Sequence, residues 1–125
     1  MNIEKKPIKF EDERGIVRDI IAGKEIDACS ALTCKAGSVR GNHYHKQTLM
    51  YIYILSGRLV YALEKGDGSI ETQEVKEGDL ITVLPGDKHA LKAIEDSVIL
   101  NLTKGPRQGD GFAKDTFRLE KNILE

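Results

Sequence analysis

The 125-residue chain predicts an all-β domain, a sandwich or barrel of short strands. Three observations predict it. Apolar and β-branched runs of strand length alternate with Gly, Pro, Asp and Ser turn signals through residue 102. No segment before the C-terminal tail carries an apolar stripe of helical period. The run "LMYIYILSG" at 49–57 puts Met50, Ile52 and Ile54 on one face and Tyr51, Tyr53 and Leu55 on the other, so it reads as a strand covered on both sides.

The elements follow in order. "GIVRDII" at 15–21 and "IDACSALTCK" at 26–35 are rich in β-branched or small residues and read as strands. After 49–57, Ser56-Gly57 signals a tight hairpin into "RLVYALEK" at 58–65. "GDGS" at 66–69 is a second turn, leading into "IETQEV". Gly78-Asp79 opens "LITVL" and Pro85-Gly86 closes it; "HALKAI" and "SVILNL" complete the series. The tail from Thr103, glycine-rich and then charged, reads as a surface arm with one short strand or helical turn. Its stretch "GPRQGDGF" at 105–112 reads as a loop over the barrel mouth or against a partner subunit. The whole is one domain, residues 1–125, with a core at about 30–103, an N-terminal strand arm at 1–25 and a C-terminal arm at 104–125.

Composition narrows the function classes. Nineteen basic and 20 acidic residues give a net charge of −1, which excludes the basic surface of a nucleic-acid or membrane binder. A small-molecule or protein partner is expected instead. The N-terminus has no apolar core segment of a signal peptide, and no run approaches the ~20 apolar residues of a membrane span. A cytoplasmic location with reduced cysteines is therefore expected. Cys29 and Cys34 lie on opposite faces of one strand and form no CxxC pattern, so they read as small packing side chains.

The candidate chemistry lies in "RGNHYHK" at 40–46 and "LPGDKHALK" at 84–92, which hold the chain's three histidines, His43, His45 and His89. His43 and His45 share one face of an extended strand, about 7 Å apart along it. Two such imidazoles can converge on one ion, and a third from a distant strand would complete a three-histidine face with positions open to water or substrate. The plain alternative is three polar residues at strand ends. By alternation Tyr44 points away from the pair.

The spacing of these residues resembles the cupin superfamily. Gly37 is followed by five residues, His43-Tyr44-His45, four residues, Met50, six residues and Gly57, which is the spacing of the first cupin motif. Gly78, five residues, Leu84-Pro85-Gly86, two residues and His89 follow the second motif, without its first proline and its final asparagine. The resemblance implies a double-stranded β-helix, a small jelly-roll barrel. It implies His43, His45 and His89 as metal ligands. At Met50 the metal-binding cupins carry a carboxylate ligand, and methionine supplies neither negative charge nor a hard oxygen. Met50 then reads as core filling. Gln47 could lend an amide oxygen. The implied cofactor is a divalent transition metal (Zn, Fe, Mn, Ni or Cu) held without a carboxylate, or a site left empty.

Two further stretches, Asp12-x-Arg14-Gly15 and Arg40-Gly41-x-His43-Tyr44, resemble the sugar-nucleotide branch of cupins, the dTDP-4-dehydrorhamnose 3,5-epimerases and their ketoisomerase relatives. That resemblance implies His43 as catalytic base, Arg14 and Arg40 on a nucleotide diphosphate, and a keto-sugar nucleotide as ligand; Gln47 and Met50, close by in the chain, are further candidate substrate-binding residues. Those epimerases are longer and have Gln where this chain has its second histidine, which makes the chain a relative. The chemistry is coherent: a 4-keto sugar has acidic α-protons, so a base, an enolate-stabilising group and an acid suffice. Tyr44, Tyr51, Tyr53 and Tyr61 are the candidate acids. The covered tyrosine face of 49–57 suggests a homodimer or, alternatively, packing under a terminal arm. Two other readings stand beside epimerase or isomerase: a three-histidine metal-dependent dioxygenase, and a non-catalytic sugar- or metabolite-binding cupin.

Overall fold

The computed structural model describes residues 1–125. Its strands are β1 (Asn2–Lys5), β2 (Phe10–Asp12), β3 (Gly15–Val17), β4 (Ala28–Cys34), β5 (Val39–His45), β6 (Leu49–Ser56), β7 (Arg58–Glu64), β8 (Ile70–Lys76), β9 (Asp79–Val83), β10 (Lys88–Ala93), β11 (Ser97–Lys104) and β12 (Thr116–Arg118), with one helical turn, α1 (Gly111–Lys114). Two five-stranded antiparallel sheets, β1-β9-β6-β11-β4 and β12-β5-β10-β7-β8, face each other, and β2-β3 forms a separate hairpin. This is the expected all-β jelly roll. No helix is long and apolar enough to cross a membrane.

The alternating strands bury one face each between the sheets. Met50, Ile52 and Ile54 of β6 meet Leu59 and Tyr61 of β7, Ile81 and Val83 of β9, Leu91 of β10 and Ile99 of β11 in one core. The other face of β6 is also covered. Tyr51 and Tyr53, with Leu80, pack under Ile20, Ile21 and Ile26 of the chain's own N-terminal segment. The second of the two expected covers for the tyrosines is therefore the observed one, and that face needs no partner subunit. Leu55 departs from the pattern, because it lies at the strand end and is 45% exposed.

Two elements differ from expectation. The strand read at 15–21 ends at Val17. Residues 18–27 form no strand, and their isoleucines serve as the cover just described. Ser56-Gly57 is not a hairpin, since β6 and β7 belong to different sheets. The chain crosses between layers there, with Gly57 at φ +90°, packed so closely on Ser97 and the Asp96 carbonyl that a Cβ has no room. A short apolar run cannot say which sheet its neighbour joins. The 66–69 turn is a true hairpin, pairing β7 with β8 from Arg58↔Lys76 to Glu64↔Ile70. The tail supplies both a helical turn and a strand, β12, which pairs with β5.

Candidate metal and ligand site

The site begins with an irregularity in β5. His89 of β10 pairs with His43, but the next residue, Ala90, pairs with Gly41, so Asn42 is an extra residue bulged from the ladder. Gly41 at φ +93° and Asn42 at φ +56° both take the left-handed conformation. Glycine does so freely and asparagine is among the side chains that tolerate it best. Gly41 also has no space for a side chain, since a Cβ would lie 2.9 Å from the His89 carbonyl oxygen. The Gly-Asn pair in "RGNHYH" is thus the local reason for the bulge. Beyond it, Arg40 pairs with Leu91, a core residue, and joins the cavity wall. Unbroken alternation from His43 would send Arg40 to the other face.

On the other side of the bulge the three histidines converge. Their ligating atoms all lie within 4.8 Å of one another. The rings of His43 stand 4.8 Å from those of both His45 and His89. His45 and His89 are buried and His43 is half-buried. Tyr44 points outward, as alternation requires, and stacks on Phe117 at 5.3 Å.

Backbone carbonyls fix two of the three imidazoles. His45 Nδ1 lies 3.1 Å from the Asp115 carbonyl oxygen and His89 Nδ1 lies 2.9 Å from that of Asp87. A carbonyl only accepts, so each Nδ1 carries the proton and each Nε2 keeps a free lone pair. His45 Nε2 is buried and has no hydrogen-bond partner. Burial, reinforced by the nearby charges of His89, His45 and Arg118, pushes the His43 pKa down to about 3. Burial, partly offset by the Asp87 carbonyl, lowers His89 to about 4. His45 is lowered as well, by burial against the opposing pull of the Asp115 carbonyl. Three neutral imidazoles, two of them oriented from behind by carbonyls and one with an orphaned nitrogen, form a donor set that fits a divalent transition metal.

His45 is held in place by the tail. Asp115 is 4% exposed, and its carboxylate accepts from the backbone N–H groups of Lys46, Gln47 and Thr48 and from the Thr48 hydroxyl at 2.7–3.2 Å. Burial alone would raise its pKa, but the Thr48 hydroxyl and the three N–H donors outweigh that and hold the carboxyl below its usual range. Phe112 of α1 packs on His45 with ring centroids 5.0 Å apart.

A cavity of about 550 Å³ opens over the cluster. His43, His89 and Met50 line it together with Leu91, Ile99, Phe112, Asn101, Arg40 and Arg118. Residues Asn122, Leu124 and Glu125 of the tail line it as well. Met50 is 3% exposed and belongs to the core while also facing the cavity. Asn101 presents a buried side-chain oxygen with no partner. Arg40 donates to the Thr33 carbonyl at 2.8 Å, bridging from β5 toward the opposite sheet. Arg118 stands directly across the strand pair from His43.

Of the candidate residues, His43, His45, His89, Arg40 and Met50 are brought together. Arg14 is not: its exposed guanidinium pairs with Asp12 at 2.6 Å in the β2–β3 hairpin and does not line the cavity. Gln47 is exposed in the turn over Asp115 and lies outside the cavity wall. Among the tyrosines, Tyr51 and Tyr53 lie under the N-terminal segment, and Tyr61 is in the core, its ring 6.3 Å from His89. Burial raises the Tyr61 pKa, so its phenol stays protonated. Asp115, Asn42, Phe112 and Arg118 are the residues that sequence reasoning missed. Only Asn42, inside the motif and after a glycine, carried a local signal.

The strand order, the paired motifs and the histidine cluster at the barrel opening are those of a cupin. The family model described as "Cupin domain" matches residues 32–102, more than half of the chain, and the chain belongs to that family. No curated protein sequence matches it. Solved structures similar to it include the sugar 3,4-ketoisomerase QdtA from Thermoanaerobacterium thermosaccharolyticum in complex with TDP (TM-score 0.79, 17% identity, 95% of this chain and 88% of that one). Another is the dTDP-4-dehydrorhamnose 3,5-epimerase from Sulfolobus tokodaii (TM-score 0.72, 22% identity, 83% and 70%). A third is the capsular polysaccharide assembling protein CapF from Staphylococcus aureus (TM-score 0.68, 21% identity, 92% and 33%). At these identities the likeness is one of fold.

Proposed function

We propose that the chain is an isomerase or epimerase of a keto-sugar nucleotide, with His43 as the general base. The observation that carries this reading is His43 itself. It is neutral at physiological pH, faces a cavity of about 550 Å³, and, unlike its two neighbours, has no carbonyl fixing its ring. Removal of a proton α to a ketone needs a neutral imidazole within reach of that carbon. Arg118 and Arg40 lie on the same wall, where guanidinium groups suit the phosphate oxygens of a nucleotide. Ligand phosphate entering beside His43 would offset the Arg118 charge and raise the basicity that burial has lowered. Two of the similar structures are a 3,4-ketoisomerase and a 3,5-epimerase, the former in complex with TDP, which supports a ligand of the same class.

The test is solvent deuterium incorporation at the α-carbon of a dTDP-4-keto-6-deoxy sugar. The protein is expected to exchange that position, and His43→Asn to slow it about 10²–10⁴-fold. Binding of the sugar without any exchange would leave a binding cupin in place of an enzyme.

A second reading rests on the orphaned His45 Nε2: His43, His45 and His89 hold a divalent transition metal. Such an ion would supply Lewis acidity to a substrate oxygen. His43 cannot be ligand and base at once, so the metal-bound state belongs to the dioxygenase alternative or to a Lewis-acid isomerase with another base. Metal analysis of protein purified without chelator decides between them: stoichiometric metal supports the centre, and full exchange activity in metal-free protein rejects it as the catalytic form.

A further inference from the structure

We propose that residues 119–125 are the gate of the cavity, setting what enters it, and that Asn42 is the latch. This segment follows β12, forms no helix or strand, and supplies three residues of the cavity wall, Asn122, Leu124 and Glu125. Five hydrogen bonds tie it to the barrel, and four of them go to Asn42. The Asn42 carbonyl accepts from the Leu119 N–H at 3.0 Å. Its side-chain oxygen accepts from Ile123 N–H at 2.8 Å and Leu124 N–H at 3.2 Å, and its amide nitrogen donates to the Leu124 carbonyl at 3.0 Å. The fifth runs from Lys92 Nζ to the Glu125 carbonyl at 2.7 Å.

Asn42 is suited to this role by its place in the chain. It is the bulged residue, so it owes no ladder bond to β10, and it precedes His43 directly. It is 6% exposed, which shields its amide from competing water. A segment held mainly through one residue, without strand pairing, opens when that residue lets go and not by unfolding the sheet. Leu124 lines the same cavity as Leu91 and Ile99, so the closed gate narrows the mouth to ligands that fit beside it. The latch and the chemistry therefore sit on adjacent residues: what displaces the gate does so next to His43.

The test needs no knowledge of the ligand. Diethyl pyrocarbonate carbethoxylates neutral imidazoles, and all three histidines of this chain lie in the cluster under the gate. Asn42→Gly keeps the left-handed backbone and removes only the amide side chain. Leu124→Asp unseats the gate without touching β5. In both variants carbethoxylation is expected to run about tenfold faster than in the unaltered protein, with the Ile123 and Leu124 amides exchanging with deuterium faster and the amides of β6 unchanged. Equal carbethoxylation rates in all three proteins would overturn the gate. Faster carbethoxylation in Leu124→Asp with no change of rate or exchange in Asn42→Gly would overturn the latch. Both readouts are taken on metal-free, nucleotide-free protein, so the gate and the proposed function fail separately.

Discussion

At the scale of residues, the histidine cluster makes stability depend on pH. An imidazole that stays neutral in the fold, at a pKa of about 3 for His43 and about 4 for His89, takes up its proton near pH 6.5 once unfolded. The unfolded state binds more protons between these values, so stability is full above pH 6.5 and is lost as pH falls toward 4 and 3. For metal-free protein we expect a loss on the order of 2 kcal/mol across that window, discounted because half-buried His43 is partly screened by solvent. A set of urea titrations from pH 7 to pH 4 reads it, and a flat profile would mean that the cluster is not neutral. Met50 offers the complementary experiment. Met50→Glu puts a carboxylate beside three free imidazole nitrogens in a 3% exposed position. The metal-free variant should lose about 1–3 kcal/mol of stability to the buried charge and melt lower, while added Zn²⁺ should raise its melting temperature more than that of the unaltered protein. Equal Zn²⁺ responses in the two would show that position 50 does not face the ion.

At the scale of elements, the C-terminal tail is part of the site. Asp115 fastens the turn after β5 through Lys46, Gln47 and Thr48, while its own carbonyl orients His45. Asp115→Ala removes a buried charged acceptor and leaves three N–H groups of the turn unpaired, that of buried Thr48 among them. We expect a loss of about 2–4 kcal/mol in urea unfolding, with broadening of the His45 ring resonances. Asp115→Asn should recover part of the stability. None of this was legible beforehand, because the worth of Asp115 lies in donors some 67–69 residues away in sequence. The paired motifs were legible for the opposite reason. Their spacing from Gly37 to Gly57 and from Gly78 to His89 reports strand lengths and turns, which are local. Sheet membership was not local either, which is why Ser56-Gly57 read as a hairpin and folds as a layer crossing.

At the scale of the whole molecule, the N-terminal segment decides whether a second apolar face is dry. Ile20, Ile21 and Ile26 cover Tyr51, Tyr53 and Leu80, and Arg18 reaches the Tyr53 hydroxyl at 3.4 Å. Replacing Ile21 and Ile26 together by Asp should uncover that face, raise binding of an apolar dye, and shift sedimentation toward self-association. Unchanged dye binding and sedimentation would show that the segment is not the cover it forms here. The barrel, its two-sided central strand and the meeting of three histidines were all readable from pattern and spacing. What was not readable was which part of the chain closes each opening. Both closures, 18–27 over the tyrosines and 119–125 over the cavity, are made by irregular segments with no periodicity to read.

The bulge at Asn42 has one more consequence. It shifts the phase of the strand. Counting by twos from His43 reaches His45 in one direction, but the other direction must skip a residue before the count resumes at Arg40. The stretch is two alternations spliced at one point, so its phase depends on Asn42 staying out of the ladder. A strand straightened with Asn42 paired in sequence would turn Arg40 away from the imidazoles it now accompanies, whereas a strand lacking Asn42 would keep it on their face.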